Sequence, residues 1–300
     1  MDNLVLLQRI KYLYEKQNIN ISEYLRSLGG RNYNTLEDIL ISYDFQAGSY
    51  LHYYKQNPER KHSQLSEMLK ILNIKLEPCE TVLEAGVGDG TSFLNIINGL
   101  NYKPKKVFGF DLSWSRIKVA NSFIGNEDLN TESTQLFVAN MFEIPLADNS
   151  IDLVYTVHAI EPNGGKEKEI ISELLRVTNK YLVMVEPYYE GASPEAQQEM
   201  DKKGYIKGLE KAVNELGYSF KISVPLINDL NPLNPGQVFV IEKKQEAITN
   251  QNVGLCCPVT KTSLVKKESC YFSKESLLAY PIIENIPCLT INNAIIASKM

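Results

Sequence analysis

The stretch VLEAGVGDGTS, Val82 to Ser92, decides the fold of this 300-residue chain. It begins with the β-branched and apolar residues of a buried strand, continues with three glycines at every second position, and ends where a helical pattern begins. A strand, a glycine turn and a helix in this order bring backbone N–H groups and the positive end of a helix up to a ligand. The sequence therefore predicts that this turn binds a nucleotide-like molecule.

Spacing and charge in the turn distinguish between ligand classes. The dinucleotide pattern G-x-G-x-x-G fails at its last position, which is Thr91. Asp89 inside the turn and Glu84 at the strand end would repel a pyrophosphate, whereas they attract a cation. S-adenosylmethionine has no phosphate and carries a sulfonium charge and an amino group. The turn therefore favours S-adenosylmethionine over NAD.

Short β-branched runs alternate with helical stretches from Glu80 onward, which predicts βαβ units. The predicted strands are 81–85, 106–111, 135–139, 151–157, 181–186, 218–224 and 237–243. Three prolines and no helical period separate the last two runs, which predicts a final antiparallel hairpin. We expect an α/β fold with a doubly wound, mostly parallel seven-stranded sheet.

Two further regions flank the predicted sheet. Apolar residues at helical spacing predict an N-terminal helical cap over 1–76, which also holds eight of the seventeen tyrosines. The central domain then covers 77–244, the polar stretch 245–254 is predicted to be a linker, and 255–300 to form a small α+β domain. Most of the tyrosines are expected to pack the contact between cap and sheet.

Composition bounds the class of protein. With 44% hydrophobic and 22% charged residues the chain is typical of a soluble globular protein, and a net charge of −5 gives little support for binding nucleic acid. The apolar run Leu4 to Leu7 is too short for a signal peptide, and no stretch approaches the roughly 18–20 apolar residues of a membrane span. Five cysteines, an odd number, predict thiols rather than disulfides. We therefore expect a cytoplasmic protein.

The motif order over roughly 80–244 resembles the class I S-adenosylmethionine-dependent methyltransferases, with EAGVGDGT as the first cofactor motif. FGFDLS puts Asp111 at the end of the second strand, where the family's acidic residue accepts from both ribose hydroxyls. After the third strand, Asn140 and Met141 would border the adenine. The cofactor contacts that the resemblance implies are Glu84, Ala85, Gly86, Gly88, Asp89, Gly90, Asp111, Leu112, Asn140, Met141, Tyr50 and His158.

Tyr50 enters that set through SYDFQAGSYLHYY, which resembles segments that fold over the cofactor in small-molecule members of the family. The same likeness makes Tyr43 a pocket candidate. Both tyrosines belong to the predicted cap, so the resemblance implies that the cap covers the cofactor.

Three residues are candidates for catalysis. His158 comes after the fourth strand and could act as a base near neutral pH, or it could pack against the cofactor or hydrogen-bond to backbone. Three roles are open for Glu161: it could be a base, a partner of His158 or a carboxylate at the start of a helix. Tyr189, with Tyr188, comes after the fifth strand and could touch the acceptor.

The residues after the fourth strand constrain the acceptor. Family members that methylate amino groups carry N-P-P-Y or D-P-P-Y there, whereas this chain has HAIEPNGG. The resemblance therefore favours oxygen or carbon acceptors on a small molecule, such as a sugar, a lipid headgroup or a natural-product intermediate. Two alternatives stay open: methylation of RNA or of a translation protein, and a cofactor-binding scaffold without catalysis.

The C-terminal stretch resembles small zinc-ribbon proteins, including short activator subunits of certain methyltransferases, most clearly at CPVTK and AYPIIENIPCL. A closed zinc site needs four ligands, here two C-x-x-C pairs. The second cysteine of each pair is replaced: Thr260 occupies its position after Cys257, and Ser273 occupies it after Cys270. We predict no metal, and a unit stabilised by docking against the central domain or against a second subunit, as in a homodimer.

Overall fold

The computed structural model describes residues 3–226, 231–244 and 253–300. Its α-helices are α1 (Asn3–Gln17), α2 (Ile21–Gly29), α3 (Leu36–Phe45), α4 (Ser49–Gln56), α5 (Pro58–Ile74), α6 (Thr91–Gly99), α7 (Trp114–Ile124), α8 (Glu167–Val177), α9 (Pro194–Lys203) and α10 (Leu209–Glu215). Its strands are β1 (Thr81–Ala85), β2 (Lys106–Asp111), β3 (Thr134–Val138), β4 (Ile151–Val157), β5 (Thr178–Pro187), β6 (Ile222–Pro225), β7 (Gly236–Glu242), β8 (Val265–Lys266), β9 (Cys270–Ser273), β10 (Leu278–Ile283), β11 (Ile286–Pro287) and β12 (Ile295–Ile296). Two 3₁₀-helices are η1 (Tyr189–Gly191) and η2 (Ile291–Asn293).

The central sheet has seven strands in the order β3-β2-β1-β4-β5-β7-β6. Strands β1 to β5 are parallel, and β7 and β6 form the antiparallel end, which confirms the predicted α/β fold and its final hairpin. The chain leaves β3 at one edge and returns as β4 on the other side of β1, so the strand order reverses between β1 and β4. Ligands of open α/β sheets bind at such a reversal, outside the carboxyl ends of the strands.

The N-terminal helices pack in two ways. Helices α1 to α3 share a small core around Ile10, Ile21, Leu25 and Ile41. Helix α5 instead buries Leu65 in the main core, against α6 and the sheet. The last helix of the predicted cap is thus an integral layer of the α/β unit. It contacts α4, whereas α3 contacts α7.

Residues 253–300 form short antiparallel strands in the order β11-β10-β9-β8, with β12 paired to β10. In this range the structure has a 3₁₀-helix and no α-helix, so the expected α+β unit consists of β-strands and turns. The unit docks at the β3 edge of the sheet: Leu289 donates its N–H to the carbonyl of Val138 at 2.8 Å, and Lys261 pairs with Glu173 at 3.0 Å. Most of the predicted linker, 245–252, lies outside the described residues.

No helix in the described part of the chain combines the length and the apolarity needed to cross a membrane.

Candidate active site

A cavity of about 570 Å³ lies between the carboxyl ends of β1, β2 and β4 and helices α3, α4 and α5. Its size is in the range of small-molecule sites. Most of the residues that the sequence predicts for the site line it together: Glu84, Gly86, Gly88, Asp89, Asp111, Leu112, Asn140, Met141, Tyr43, Tyr50, His158 and Glu161. Four predicted residues, Ala85, Gly90, Tyr188 and Tyr189, are not among the lining residues.

The backbone of the glycine turn lies very close to the loop after β4. Gly86 has a φ of +82°, and a Cβ atom on it would lie 2.3 Å from the Cβ of Ala159 in the loop after β4. Only glycine fits both the backbone conformation and the contact. Gly90 also has a positive φ, but it packs against Ile124 of α7, and Ala85 is buried under the turn. Both residues therefore support the turn on the side that faces away from the cavity.

Asp111 lies where two hydroxyl groups could reach it. Its Oδ1 accepts from the N–H of Ser113 at 2.9 Å, and its Oδ2 accepts from the N–H of Gly88 at 3.0 Å. Each carboxylate oxygen retains a further lone pair, so the side chain can accept from two vicinal hydroxyls while it holds the turn. Burial raises the pKa of Asp111, and the positive charge of Arg116 opposes that effect.

Asn140 and Met141 form the wall beside the turn. The side-chain oxygen of Asn140 accepts from the N–H of Phe142 at 3.1 Å, which fixes the loop after β3. The Met141 methyl lies 3.6 Å from the place that a Cβ of Gly86 would take. A soft thioether at this place suits the face of a planar ring.

Glu84 is a buried carboxyl group at the end of β1. Tyr155 on the neighbouring strand β4 donates its hydroxyl to Glu84 Oε2 at 2.9 Å. Burial raises the pKa of Glu84 to about 8, and the hydrogen bond from Tyr155 and the charge of Lys61 limit the rise. A cationic ligand in the cavity would favour the ionised form of this group.

His158 has a φ of +53° and is held by several contacts. Its Nδ1 lies 3.1 Å from Glu161 Oε2, and its Nε2 lies 3.3 Å from Gln64 Nε2. Because the Gln64 amide nitrogen can only donate, Nε2 accepts and Nδ1–H donates to Glu161. Burial opposes protonation, but the hydrogen bond and charge of Glu161 outweigh it and raise the pKa of His158.

Glu186 was not predicted, yet it fixes the loop that carries His158. Its Oε1 accepts from the N–H groups of Ala159 and Ile160 at 3.0 and 3.2 Å, and its Oε2 accepts from that of Glu161 at 3.2 Å. Burial raises the pKa of Glu186 to about 7. The sequence does contain a signal for it, because Glu186 is the one acidic residue in β5 and follows an apolar run at its carboxyl end.

Other lining residues also carry no sequence motif. Asn234 donates to Glu161 Oε2 at 3.2 Å, so this carboxylate is held from two sides. Lys61 of α5 lies in the cavity, and burial lowers the pKa of its ammonium group to about 8, against the attraction of Glu84. Arg116 lies in the first turn of α7. These groups come from distant parts of the chain, so their meeting could not be derived from spacing.

Tyr189 lies outside the cavity, on η1. Its hydroxyl donates to Asp201 Oδ2 at 3.2 Å, and the Lys207 ammonium group lies 4.9 Å from its ring centre. Tyr188 packs its ring against Phe239 in the core. The predicted catalytic role of Tyr189 does not fit this placement, because neither of these two partners lines the cavity.

The seven-stranded order, the glycine turn after β1 and the acidic residue at the end of β2 define the fold class: a Rossmann-like α/β domain. Residues 82–180 match the family model described as a methyltransferase domain. This segment contains the glycine turn, Asp111 and His158, and the match agrees with S-adenosylmethionine as the cofactor.

Among curated proteins, the chain is similar to ajmaline N-methyltransferase of Rauvolfia serpentina, with 25% identity over 164 residues, or 54% of this chain and 53% of that protein. The chain thus spans about half the length of the curated relative it matches. Among solved structures it is similar to geranyl diphosphate methyltransferase in complex with GPP and sinefungin, with a TM-score of 0.49 and 14% identity over 61% of this chain and 78% of that one. It is also similar to magnesium protoporphyrin IX methyltransferase from Synechocystis PCC 6803, with a TM-score of 0.46 and 10% identity over 79% and 99%.

Proposed function

We propose that the chain is an S-adenosylmethionine-dependent methyltransferase that methylates an oxygen or carbon atom of a small-molecule acceptor, with His158 as the general base. One observation carries this proposal: His158 lines the same cavity as the glycine turn and Asp111, and Glu161 orients its imidazole. A base beside a cofactor site has a role when the acceptor must lose a proton.

The residues present fit the cofactor. Asp111 would hold the ribose, Asn140 and Met141 would border the adenine, and the buried Glu84 would favour the positive charge. The bound cofactor supplies an activated methyl group on a sulfonium centre. The contribution of the chain is to position the acceptor, to exclude water and to move a proton.

The proton path uses three carboxyl and imidazole groups in distinct roles. On acceptor binding, Nε2 of His158 exchanges its hydrogen bond from Gln64 for one from the acceptor and takes the acceptor proton, and Glu161 stabilises the imidazolium that forms. Glu186 acts as a positioning residue, since it holds the backbone from Ala159 to Glu161. Tyr43 and Tyr50 close the cavity on the cap side and reduce its access to water.

The shape of the site supports a small acceptor. The cavity lies under three helices, and a second cavity of about 380 Å³ adjoins it through Tyr43, Tyr50 and Glu161. Amide and hydroxyl side chains line much of this second cavity, among them Asn18, Asn20, Asn34, Gln46 and Ser49. An acceptor that extends toward it meets hydrogen-bonding groups, which favours a hydroxylated molecule. The name of the curated relative adds a nitrogen acceptor as the second candidate.

The test has two stages. Calorimetric titration of the protein with S-adenosylmethionine, with NAD as the control, is expected to give binding of the former alone. Transfer from isotopically labelled S-adenosylmethionine is then measured over a panel of small alcohols, amines and activated carbon acids. The His158→Ala variant is expected to keep cofactor affinity and to lose about 10²-fold or more in turnover.

The exposed histidine of α5 provides the matched control, because His62→Ala removes an imidazole that does not line the cavity. Its turnover should equal that of the wild type. No binding of S-adenosylmethionine would overturn the proposal, and binding without transfer over the whole panel would favour a scaffold role.

A further inference from the structure

Asn234 is a buried amide side chain in the cavity, and one of its two polar atoms has no partner. The residue is 8% exposed, it lines the cavity, and its Oδ1 accepts from no donor in the described part of the chain. Leaving a buried acceptor unpaired costs its full desolvation, so such atoms are normally satisfied. In a binding cavity, an orphaned carbonyl oxygen indicates a ligand group that donates a hydrogen bond.

A carboxylate fixes the orientation of the Asn234 amide. Its Nδ2 donates to Glu161 Oε2 at 3.2 Å, and the same oxygen accepts from Nδ1 of His158 at 3.1 Å. The reverse orientation of the amide would place its carbonyl oxygen against this carboxylate oxygen, and two acceptors repel each other. The carbonyl oxygen is therefore the atom left for a ligand.

Backbone hydrogen bonds hold the segment that carries Asn234. The N–H of Asn234 donates to the carbonyl of Asn231 at 2.9 Å, and the N–H of Leu233 donates to Asn231 Oδ1 at 3.1 Å. The carbonyl of Pro235 accepts from the N–H of Tyr188 at 2.9 Å, which ties the segment to the residue after β5. The amide is thus in place before a ligand binds.

An orphaned amide oxygen is not in itself a site. Asn179 also has an unpartnered Oδ1, and its Nδ2 donates to the buried carboxylate of Asp152 at 2.9 Å. Asn179 lies at the amino end of β5, whereas the cavity lies at the carboxyl ends of the strands, and it does not line the cavity. Asn234 differs from it by lining the cavity beside the proposed base.

We propose that Asn234 Oδ1 determines acceptor specificity by accepting a hydrogen bond from a hydroxyl group next to the one that is methylated. This inference rests on the proposed function. His158 and Asn234 share one oxygen atom of Glu161, so a single small molecule can reach both. The first hydroxyl then gives its proton to His158 as its oxygen takes the methyl group from the sulfonium centre. The second hydroxyl keeps its proton and donates to Asn234, so the acceptor class is a vicinal diol.

A hydroxyl group suits this place better than an aliphatic amino group. The amine is an ammonium ion at neutral pH, and burying a cation costs more than a neutral carbonyl oxygen returns. The nearby carboxylate oxygen, Glu161 Oε2, already accepts two hydrogen bonds. A hydroxyl group is uncharged, so its burial against Asn234 costs less.

The test uses two sets of probes, each built on one carbon skeleton. The first set is catechol and phenol, and the second is vicinal cyclohexanediol, vicinal aminocyclohexanol and cyclohexanol. Transfer from isotopically labelled S-adenosylmethionine gives kcat/KM for each probe. The wild type is expected to prefer each diol over the single alcohol of its set, and the cyclohexanediol over the amino alcohol.

Asn234→Leu replaces the amide by an apolar side chain of similar shape. It is expected to lower the ratio of kcat/KM for diol over single alcohol about 10- to 100-fold, the effect of losing one buried hydrogen bond. Comparing this ratio between variant and wild type cancels the intrinsic reactivity of the probes. Asn179→Leu is the matched control, because it removes an amide with the same hydrogen bonding outside the cavity, and it should leave the ratio unchanged.

Different results overturn different statements. Equal kcat/KM for diol and single alcohol in the wild type overturns the inference, whether or not the variants fold. Asn234→Leu that lowers kcat/KM for all probes alike also overturns it, and leaves Asn234 as a positioning residue for Glu161. A wild type that prefers the amino alcohol, or that binds S-adenosylmethionine but methylates none of these probes, overturns the vicinal diol. A wild type that does not bind S-adenosylmethionine overturns the proposed function itself.

Discussion

Nδ1 of His158 and Oε2 of Glu161 lie 3.1 Å apart, and the same carboxylate oxygen accepts from Asn234 at 3.2 Å. Glu161 therefore has a fixed orientation as it accepts the hydrogen bond from the imidazole N–H. The loop that carries both residues is fixed in turn by Glu186, which accepts three consecutive backbone N–H groups. The imidazole is thus oriented before any ligand binds, and a base needs such orientation to act.

Glu161→Gln should lower turnover and move the pH profile. The proposed base acts in its neutral form, so the rate rises with pH through the pKa of His158. Loss of the Glu161 charge lowers that pKa, so the acidic limb of the kcat profile should move to lower pH while kcat falls about 10-fold or more. The profile is measured beside that of Glu169→Gln, a change on the exposed face of α8. A shift of the limb to higher pH would contradict the assignment.

The affinity for S-adenosylmethionine should rise with pH up to about 8, because its positive charges favour ionised Glu84. The pKa of Glu84 is raised by burial from 4.5 to about 8, so the free protein holds this group protonated at neutral pH. Cofactor binding should then release a proton, measurable as different binding enthalpies in buffers of different ionisation enthalpy. Glu84→Gln should remove both effects, and an unchanged pH dependence in that variant would contradict them.

The same group makes the stability of the free protein depend on pH. The folded-state pKa of Glu84 lies above the ordinary value, so the folded state binds more protons than the unfolded state between about 4.5 and 8. The contribution of Glu84 to the free energy of unfolding therefore falls as the pH rises through this range. Urea unfolding at pH 5 and pH 8, compared between the wild type and Glu84→Gln, measures it.

The strand positions were predictable where local pattern decides them. The bounds of β1, β2 and β4 match the apolar runs because these strands are buried on both faces and end in turns. The predicted strand 218–224 begins only at Ile222. Phe220 packs against Phe239 with their ring centres 4.6 Å apart, so its apolar side chain is partly buried although it lies outside the strand. Hydrophobic pattern alone does not distinguish these two means of burial.

The residues of the site likewise divide into those predictable from local pattern and those brought there by tertiary contacts. Asp111 and the glycines belong to a local motif, whereas Arg116 and Gln64 line the cavity, and Glu186 holds the loop that carries His158, through contacts that exist only in the folded chain. Tyr189 shows the converse. Its place after β5 suggested the site edge, but the turn η1 carries its hydroxyl to Asp201 instead.

Gly86→Ala should abolish cofactor binding, and Gly217→Ala is its matched control. The two glycines have φ values of +82° and +81°, so alanine strains the backbone similarly at both, by roughly 1–2 kcal/mol. A Cβ on Gly217 has no described atom within 4 Å, whereas one on Gly86 would overlap Ala159. Both variants should lose similar backbone stability in urea unfolding, with an added overlap cost at Gly86. Only Gly86→Ala should displace the His158 loop and lose binding; retained affinity would place the cofactor elsewhere.

The protein should contain no stoichiometric zinc, because the hydroxyl groups around Cys257 donate the hydrogen bonds that its thiolate accepts. Tyr280 and Ser276 lie 3.3 and 3.5 Å from its sulfur, whereas the thiol of Cys270 contacts Met300. Burial favours the neutral thiol of Cys257, but the hydrogen bonds, led by Thr260, outweigh it and lower its pKa to about 6. Elemental analysis after purification with added zinc should find none bound, and chelators should leave thermal unfolding unchanged. Tyr280→Phe should cost about 1 kcal/mol of stability; one equivalent of bound zinc in the wild type would contradict this interpretation.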